Sequence, residues 1–157
     1  MIKISLPGRD QTLELDNLLL DQNGTITEDG ILVPGVAERI AKLRDSLDIY
    51  LLTADTFGSA AMVAEELEIN LFKVSPEQGG PDKKDFLVNL AAIRTAAIGN
   101  GFNDVLMLEE AAVSIAVIGA EGCAVAALRK ADIVVNNIND ALDLFINPLR
   151  LVATLRA

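Results

Sequence analysis

Short apolar runs alternate along this chain with segments whose apolar residues recur every three to four positions. The runs predict buried β-strands, and the longer spacing predicts helices with one apolar face. Strands are expected at residues 18–20, 49–52, 71–74, 96–98, 114–118 and 133–135. Helices are expected after Pro34-Gly35, at about 57–67, from Pro81, from near Asn103, around 123–128, and at 140–156 with a break at Pro148.

This order of elements predicts an α/β fold, with a doubly wound, mainly parallel sheet. Residues 2–6 and 12–15 predict a small N-terminal hairpin, and residues 25–33 predict a short flap around Glu28-Asp29-Gly30. No repeat or linker interrupts the pattern, so residues 1–157 are expected to form one domain. Ligands of such folds bind beyond the carboxyl ends of the strands, which makes polar residues at strand ends the candidates for chemistry.

Composition narrows that chemistry. The 157 residues carry a formal net charge of −10 and no histidine. The charge argues against a nucleic-acid partner, because phosphate backbones are bound by clustered Lys and Arg. The missing histidine excludes His-dependent triads and histidine metal ligands. The remaining candidate metal ligands are mainly oxygen atoms, which suit magnesium.

The distribution of apolar residues bears on location. The longest nearly apolar run, residues 111–120, is too short to span a bilayer. The N-terminus lacks the apolar stretch of a signal peptide. We therefore expect a cytoplasmic protein with no membrane partner. The single cysteine, Cys123, excludes an intrachain disulfide.

The first candidate motif, Asp21-Gln22-Asn23-Gly24-Thr25, follows the run 18–20. A buried strand holds its terminal side chain rigidly, and Gly24 lets the backbone turn tightly around a ligand. A carboxylate at this point could attack phosphorus and bind a metal. An ordinary Asn-Gly turn explains the same residues about equally well.

The second candidate, Thr53, ends the run 49–52 and precedes Ala54-Asp55. Its hydroxyl could donate a hydrogen bond to a phosphoryl oxygen. A threonine that caps the following helix is the commoner reason for this pattern.

The third candidate is Lys83 or Lys84, near the start of the helix expected after Pro81. Either ammonium group could balance phosphoryl and carboxylate charge, although lysines at helix starts are usually solvated. A buried face that contains Phe86, Leu87 and Leu90 favours Lys83, because Leu87 and Leu90 follow it by four and seven residues.

The fourth motif, Gly99-Asn100-Gly101-Phe102-Asn103-Asp104, follows the run 96–98. Glycines on both sides of Asn100 predict a tight loop, and Asp104 falls in the first turn of the next helix. One amide and one carboxylate would then point to the same place. A turn with Asn103 as the helix cap is the alternative.

Taken together, these motifs resemble those of the haloacid-dehalogenase (HAD) hydrolases. Residues 21–25, 52–55 and 97–108 look like the phosphorylation domain of P-type cation ATPases. From about residue 16 to 136 the chain is similar to a soluble, membrane-free group related to those pumps. The resemblance implies a HAD/Rossmann-like fold and a phosphoric-monoester hydrolase that uses magnesium and a phosphorylated substrate.

The resemblance also implies roles for individual residues. Asp21 would be the nucleophile that forms an aspartyl-phosphate, with Asn23, Thr53 and Lys83 as further catalytic positions. The phosphoryl group would be bound by Gly24, Thr25, Thr53, Ala54 and Lys83. Magnesium would be held by Asp21, the backbone carbonyl of Asn23, Asn100 and Asp104.

Two positions depart from the family pattern, and each has lost a charge. HAD phosphatases usually carry Asp where Asn23 stands, and that Asp protonates the leaving group and later activates water. An amide does neither. P-type pumps also lack this carboxylate and have Thr instead. The family usually has a metal-binding Asp where Asn100 stands, so a weaker magnesium site is expected.

The short intervals between motifs leave no room for a cap domain, which in this superfamily excludes water and selects small substrates. The site is therefore expected to be open to a large substrate or closed by a neighbouring subunit. We expect a homo-oligomer, for which the aliphatic segment 142–155 could supply contact surface. Core packing explains that segment about as well.

Three functions remain open from the sequence. The first is a magnesium-dependent phosphohydrolase that is slow for poor leaving groups. The second is a non-catalytic protein whose pocket binds a phosphorylated ligand or partner, which Asn23 and Asn100 favour. The third is slow ATP-dependent autophosphorylation like that of the pumps, although no nucleotide-binding insertion is present.

Overall fold

A six-stranded parallel sheet forms the centre of the computed structural model, which describes residues 1–55 and 58–157. The strands of the chain are β1 Ile2–Leu6, β2 Gln11–Leu15, β3 Asn17–Asp21, β4 Thr27–Glu28, β5 Ile31–Leu32, β6 Asp48–Thr53, β7 Asn70–Lys73, β8 Thr95–Gly99, β9 Val113–Val117 and β10 Ile133–Val135. The central sheet has the spatial order β10-β9-β8-β3-β6-β7. The predicted α/β architecture is confirmed.

Helices cover both faces of this sheet. They are α1 Val36–Leu43, α2 Ala60–Leu67, α3 Gly79–Asn89, α4 Val105–Glu110, α5 Val125–Lys130, α6 Ile138–Ile146 and α7 Pro148–Leu155. Helices α1, α2, α6 and α7 pack on one face, and α3, α4 and α5 pack on the other. Burial on both faces explains why the central strands are continuous apolar runs. In β3, Leu18 and Leu20 enter one core and Leu19 the other.

Two small antiparallel hairpins accompany the sheet, as predicted. Strands β1 and β2 pair with Ile2 opposite Leu15, and β4 and β5 pair with Thr27 opposite Leu32. The second hairpin is the flap. Between β3 and β6 the described chain contains only this flap and α1, so no cap domain is inserted there. No helix of the described residues is long and apolar enough to cross a membrane.

Helix α3 begins at Gly79, so the prediction that Pro81 starts it was wrong by two residues. Proline is accepted in a first helical turn because the N–H groups there have no intrahelical partner. The residues fully buried on the predicted face are Lys83 and Leu87, while Phe86 and Leu90 are half-buried.

Other boundaries shift by one to three residues. The described part of α2 begins at Ala60, and its predicted start at 57 lies outside the described residues. The break at Pro148 separates α6 from α7, because proline fits the first position of a new helix. Leu142, Phe145 and Leu151 in these helices are buried in the chain's own core. Core packing therefore accounts for most of the aliphatic pattern in residues 142–155.

The strand order creates a crevice beside β3. The chain runs from β3 to β6 and β7 on one side, and then returns to place β8 and β9 on the other. A doubly wound sheet binds ligands where its strand order reverses in this way. The carboxyl ends of β3 and β8 carry Asp21 and Gly99, so the first and fourth motifs meet at this crevice.

Candidate active site

Asp21 is the last residue of β3 and lies beside Leu52 of β6 in the parallel register. Only 7% of the residue is exposed. Burial, together with the nearby negative charge of Asp104, raises the pKa of the Asp21 carboxyl to about 6, against the opposing effect of Lys83. The carboxyl is therefore mostly ionised at neutral pH and becomes protonated in mild acid.

Lys83 connects the two buried carboxylates. Its Nζ donates to Oδ1 of Asp21 and to Oδ1 of Asp104, each at 2.7 Å, and its side chain is fully buried. Burial lowers the pKa of this ammonium, but the two carboxylates outweigh burial, and the net pKa lies above its usual range. Lys84 instead forms an ion pair with Glu110 at 3.0 Å on the surface. The structure thus places Lys83, and not Lys84, beside Asp21.

Asp104 holds the loop of the fourth motif. Its Oδ2 accepts the backbone N–H of Asn100 at 3.0 Å and that of Gly101 at 2.9 Å. Gly99 is required for this approach, because a Cβ there would lie 2.5 Å from Cγ of Asp104. Gly101 is the N-cap of the short 3₁₀ turn before α4, and its N–H donates to the Asp104 carboxylate. Asp104 is the N-cap of α4 itself, so Asn103 caps neither element.

Thr25 links the first motif to the fourth. Its Oγ1 lies 3.1 Å from Oδ2 of Asp21 and 3.1 Å from Oδ1 of Asn100, so its single proton can be donated to either oxygen. Gly24 has φ +77°, and a Cβ there would lie 2.3 Å from Nδ2 of Asn100. The close approach of the two loops therefore depends on glycine at position 24.

Thr53 lies at the same sheet edge, one residue beyond Leu52, and is 4% exposed. Its Oγ1 accepts the backbone N–H of Asp55 at 3.2 Å. Oδ1 of Asp55 accepts the N–H of Ala60 at the start of α2, so Asp55 takes the capping role considered for Thr53. Among the described residues, neither Thr53 nor Ala54 forms a hydrogen bond with Asp21. They border the site and do not belong to its hydrogen-bond network.

The site contains oxygen donors of the type that magnesium binds. No group of three or more His, Cys, Asp or Glu side chains suited to a metal occurs in residues 1–55 and 58–157. The available donors are the Asp21 carboxylate, the Asn100 amide oxygen and the Asp104 carboxylate, whose oxygens already accept three hydrogen bonds. Magnesium commonly takes one or two carboxylates and completes its shell with waters and substrate phosphates.

A cavity of about 410 Å³ opens beside the site, and sequence reasoning had not assigned it. It is lined by Asn23, Asp29, Gly30, Ser59 and Glu121. Asn23 is exposed and belongs to its wall. The buried Gln22 donates from Nε2 to Oγ of Ser59 at 3.1 Å. The rule that ligands bind beyond strand ends could have indicated Glu121, which follows β9 between Gly119 and Gly122.

Comparison with protein-family models gives a match over residues 4–112, to the model described as haloacid dehalogenase-like hydrolase. Among proteins, a 60-residue stretch is 55% identical to uncharacterized protein MJ0073 of Methanocaldococcus jannaschii. That match covers 38% of this chain and 64% of the relative, which is less than two thirds of its length.

Solved structures with the same fold include two phosphatases. The cobalt-bound deoxy-D-mannose-octulosonate 8-phosphate phosphatase of Haemophilus influenzae has a TM-score of 0.72 and 15% identity, over 92% of this chain and 94% of that one. A phospho-aspartyl intermediate analogue of phosphoserine phosphatase has a TM-score of 0.70 and 15% identity, over 84% and 99%. The catalytic domain of the CPx-ATPase CopB-B has a TM-score of 0.58 and 27% identity, over 73% and 46%.

Proposed function

The chain belongs to the haloacid dehalogenase-like hydrolase family, and on that basis we propose that it is a magnesium-dependent phosphohydrolase that forms an aspartyl-phosphate on Asp21. The observation that carries the proposal is the position of Lys83. A fully buried ammonium group lies 2.7 Å from a carboxylate at a strand end and 2.7 Å from a second one on a neighbouring loop. Such an arrangement fits a site in which negative charge has to be neutralised during phosphoryl transfer.

The proposed reaction has two steps. In the first, an oxygen of the Asp21 carboxylate attacks phosphorus, and the ester P–O bond breaks with its electron pair leaving on the substrate oxygen. In the second, a water oxygen attacks the phosphorus of the aspartyl-phosphate, and the P–O bond to Asp21 breaks with its electron pair returning to the carboxylate. One water proton passes to solvent, and inorganic phosphate leaves. The Asp21 carboxylate is regenerated. The phospho-aspartyl intermediate analogue of phosphoserine phosphatase, which shares this fold, supports the first step by analogy.

The residues around Asp21 would neutralise charge, orient the nucleophile and contact the phosphoryl group. Lys83 would neutralise phosphoryl charge and keep Asp21 oriented. Gly24, with its positive φ, allows the loop after Asp21 to approach Asn100. The phosphoryl oxygens would be contacted at the same edge of the sheet by Thr25, Thr53 and Ala54.

Magnesium would be held by Asp21, the backbone carbonyl of Asn23, Asn100 and Asp104, whose Oδ1 also accepts from Lys83. When bound, the metal would offset the charge of the phosphoryl oxygens. The H. influenzae phosphatase was solved with cobalt bound, which supports a divalent metal in this fold. Asn100 contributes no charge, so a modest magnesium affinity is expected.

We expect Asn23 to limit the rate at which the leaving group departs. An amide cannot protonate the departing oxygen, so the leaving group carries most of its charge into solvent. Asn23 is exposed, which allows water to reach that oxygen. The enzyme should therefore be slow with phosphate esters of ordinary alcohols. The lack of a cap insertion between β3 and β6 in the described chain also suits a large substrate or closure by a second subunit of a homo-oligomer.

A second candidate function is binding of a phosphorylated ligand without turnover. The amides at positions 23 and 100 favour it, because both replace carboxylates that the resemblance leads one to expect. Slow autophosphorylation, by analogy with the CopB-B catalytic domain, is a third candidate. All three use Asp21, Lys83 and the same metal site.

One experiment separates the first candidate from the second. We would measure magnesium-dependent hydrolysis of p-nitrophenyl phosphate by wild type, Asp21→Asn and Asp48→Asn. Asp48 is an exposed carboxylate at the opposite end of the neighbouring strand, so its variant controls for charge loss alone. We expect turnover by wild type and Asp48→Asn and none by Asp21→Asn. Phosphate binding without turnover by wild type would favour the second candidate.

A further inference from the structure

The cavity beside Asn23 is bounded by four separate segments of the chain. They are the loop after β3 with Asn23, the flap with Asp29 and Gly30, the start of α2 with Ser59, and the loop after β9 with Glu121. Asn23 follows the proposed nucleophile by two residues, and Cβ of Glu121 lies 3.2 Å from the point that a Cβ on Gly24 would occupy, so the cavity adjoins the loop after Asp21. This cavity is therefore placed to receive the leaving group of the substrate.

The walls of the cavity are held in place by contacts outside it. Oε2 of Glu121 lies 3.3 Å from the backbone N of Asp29 and accepts its hydrogen, which ties the flap to the loop after β9. Nδ2 of Asn100 donates to the carbonyl of Gly122 at 3.1 Å, which ties that loop to the fourth motif. Glu121 thus has a defined position relative to the proposed reacting centre.

The charge of the lining is one-sided. Asp29 and Glu121 are acidic side chains, and no Lys or Arg is among the described residues that line the cavity. Ser59 adds a hydroxyl whose oxygen already accepts from Gln22, so its proton is left for another acceptor. Gln22 is 1% exposed, and its Oε1 has no hydrogen-bond partner among residues 1–55 and 58–157.

We infer that Glu121 and Asp29 select substrates by charge, and that the preferred substrate is a phosphate monoester whose leaving alcohol carries an ammonium group. Leaving groups with a carboxylate are disfavoured by the same two side chains. The inference rests on the proposed phosphohydrolase function and adds its substrate class. Because both carboxylates are exposed, each contributes a screened interaction, and together they are expected to change kcat/KM by about ten-fold.

The test uses three aryl phosphates with phenols of similar acidity, so that only the distant charge differs. They are the 4-(aminomethyl)phenyl, 4-(hydroxymethyl)phenyl and 4-(carboxymethyl)phenyl phosphates. We expect kcat/KM to fall in that order at low salt, with about a ten-fold difference between the first and the last. The difference should shrink in about 1 M salt, where the Debye length is about 3 Å.

Variants identify the residue responsible. Glu121→Gln keeps an acceptor for Asp29 N–H but removes the charge, and it should bring the ratio between the ammonium and carboxylate probes towards one. Glu121→Lys should invert that ratio. Glu66→Lys, an equal charge change on the exposed side of α2 outside the cavity, should leave the wild-type ratio intact.

The outcomes distinguish two failures. Turnover of all three probes at similar rates by wild type, or an unchanged ratio in Glu121→Lys, overturns the inference and leaves the phosphohydrolase intact. Absence of magnesium-dependent turnover with every probe overturns the proposed function and the inference together.

Discussion

Nζ of Lys83 lies 2.7 Å from Oδ1 of Asp21, although 62 residues separate the two in sequence. The same nitrogen lies 2.7 Å from Oδ1 of Asp104. One buried ammonium therefore connects the end of β3 with the loop after β8. Removing any of the three groups changes both the charge balance and the geometry of the site.

Lys83→Met should be far more damaging than Lys84→Met. Loss of the buried ammonium leaves two buried carboxylates uncompensated, which typically costs about 3–5 kcal/mol of unfolding free energy. Lys84 pairs with Glu110 at the surface, so its loss should cost less than about 1 kcal/mol. Urea unfolding of both variants measures the difference. Equal unfolding free energies would contradict the buried position of Lys83.

The stability of metal-free protein should depend on the ionisation of Asp21. Its folded-state pKa, about 6, lies above the ordinary value of 3.8, so the folded state holds this proton more tightly than the unfolded state. The resulting stabilisation is complete below about pH 4 and is lost as pH rises through 6. Asp21→Asn remains neutral throughout.

The unfolding free energy of Asp21→Asn should therefore rise relative to that of wild type between pH 4 and pH 7, by up to about 3 kcal/mol. Denaturant unfolding in chelator across this range measures the gap, and saturating magnesium should reduce it at pH 7. A gap that stays constant with pH would mean that the Asp21 pKa is not raised.

Asn23→Asp should restore proton transfer to the leaving oxygen. Such transfer typically contributes about 10²–10⁴-fold, and the gain should be large for alkyl phosphates and small for aryl phosphates. Comparison of kcat/KM across leaving groups of increasing pKa measures it. Asn23-Gly24 can deamidate, so intact mass must first show that the wild-type sample is unmodified. Similar rates with alkyl and aryl phosphates in fresh wild type would show that Asn23 is not limiting, and Asp55 would then be the next candidate acid.

Asn100→Asp should have opposite effects on metal binding and stability. A carboxylate adds charge to the proposed metal site and should lower the magnesium concentration for half-maximal activity by about ten-fold. It also removes the Nδ2 donor to the Gly122 carbonyl, at a cost of about 1 kcal/mol in unfolding free energy. Magnesium titration and thermal unfolding give the two readouts. An unchanged magnesium requirement would place the metal away from position 100.

The sequence predicted which elements form and which strand ends meet at the crevice beside β3. Asp21 and the loop from Gly99 to Asp104 were found because each follows a short apolar run. Lys83 was favoured over Lys84 because helical periodicity places it on the buried face with Leu87. These inferences depend only on local pattern.

The contacts between motifs could not be predicted in the same way. Thr25 reaches both Asp21 and Asn100 because β8 lies next to β3, and spacing along the chain does not fix strand order. The contact of Glu121 with the flap depends on the conformation of two loops. Gln22 and Ser59 were not singled out, since an isolated Gln or Ser has no characteristic pattern.

The proposed function requires that Asp21 is phosphorylated during turnover. The direct measurement is acid quenching of wild type and Asp21→Asn during reaction with radiolabelled acetyl phosphate and magnesium, followed by peptide mapping. We expect a hydroxylamine-sensitive phosphoryl group on Asp21 in wild type, which accumulates because Asn23 cannot activate water. We expect no label and no turnover in Asp21→Asn. Label on another residue, or turnover by Asp21→Asn at the wild-type rate, would contradict it.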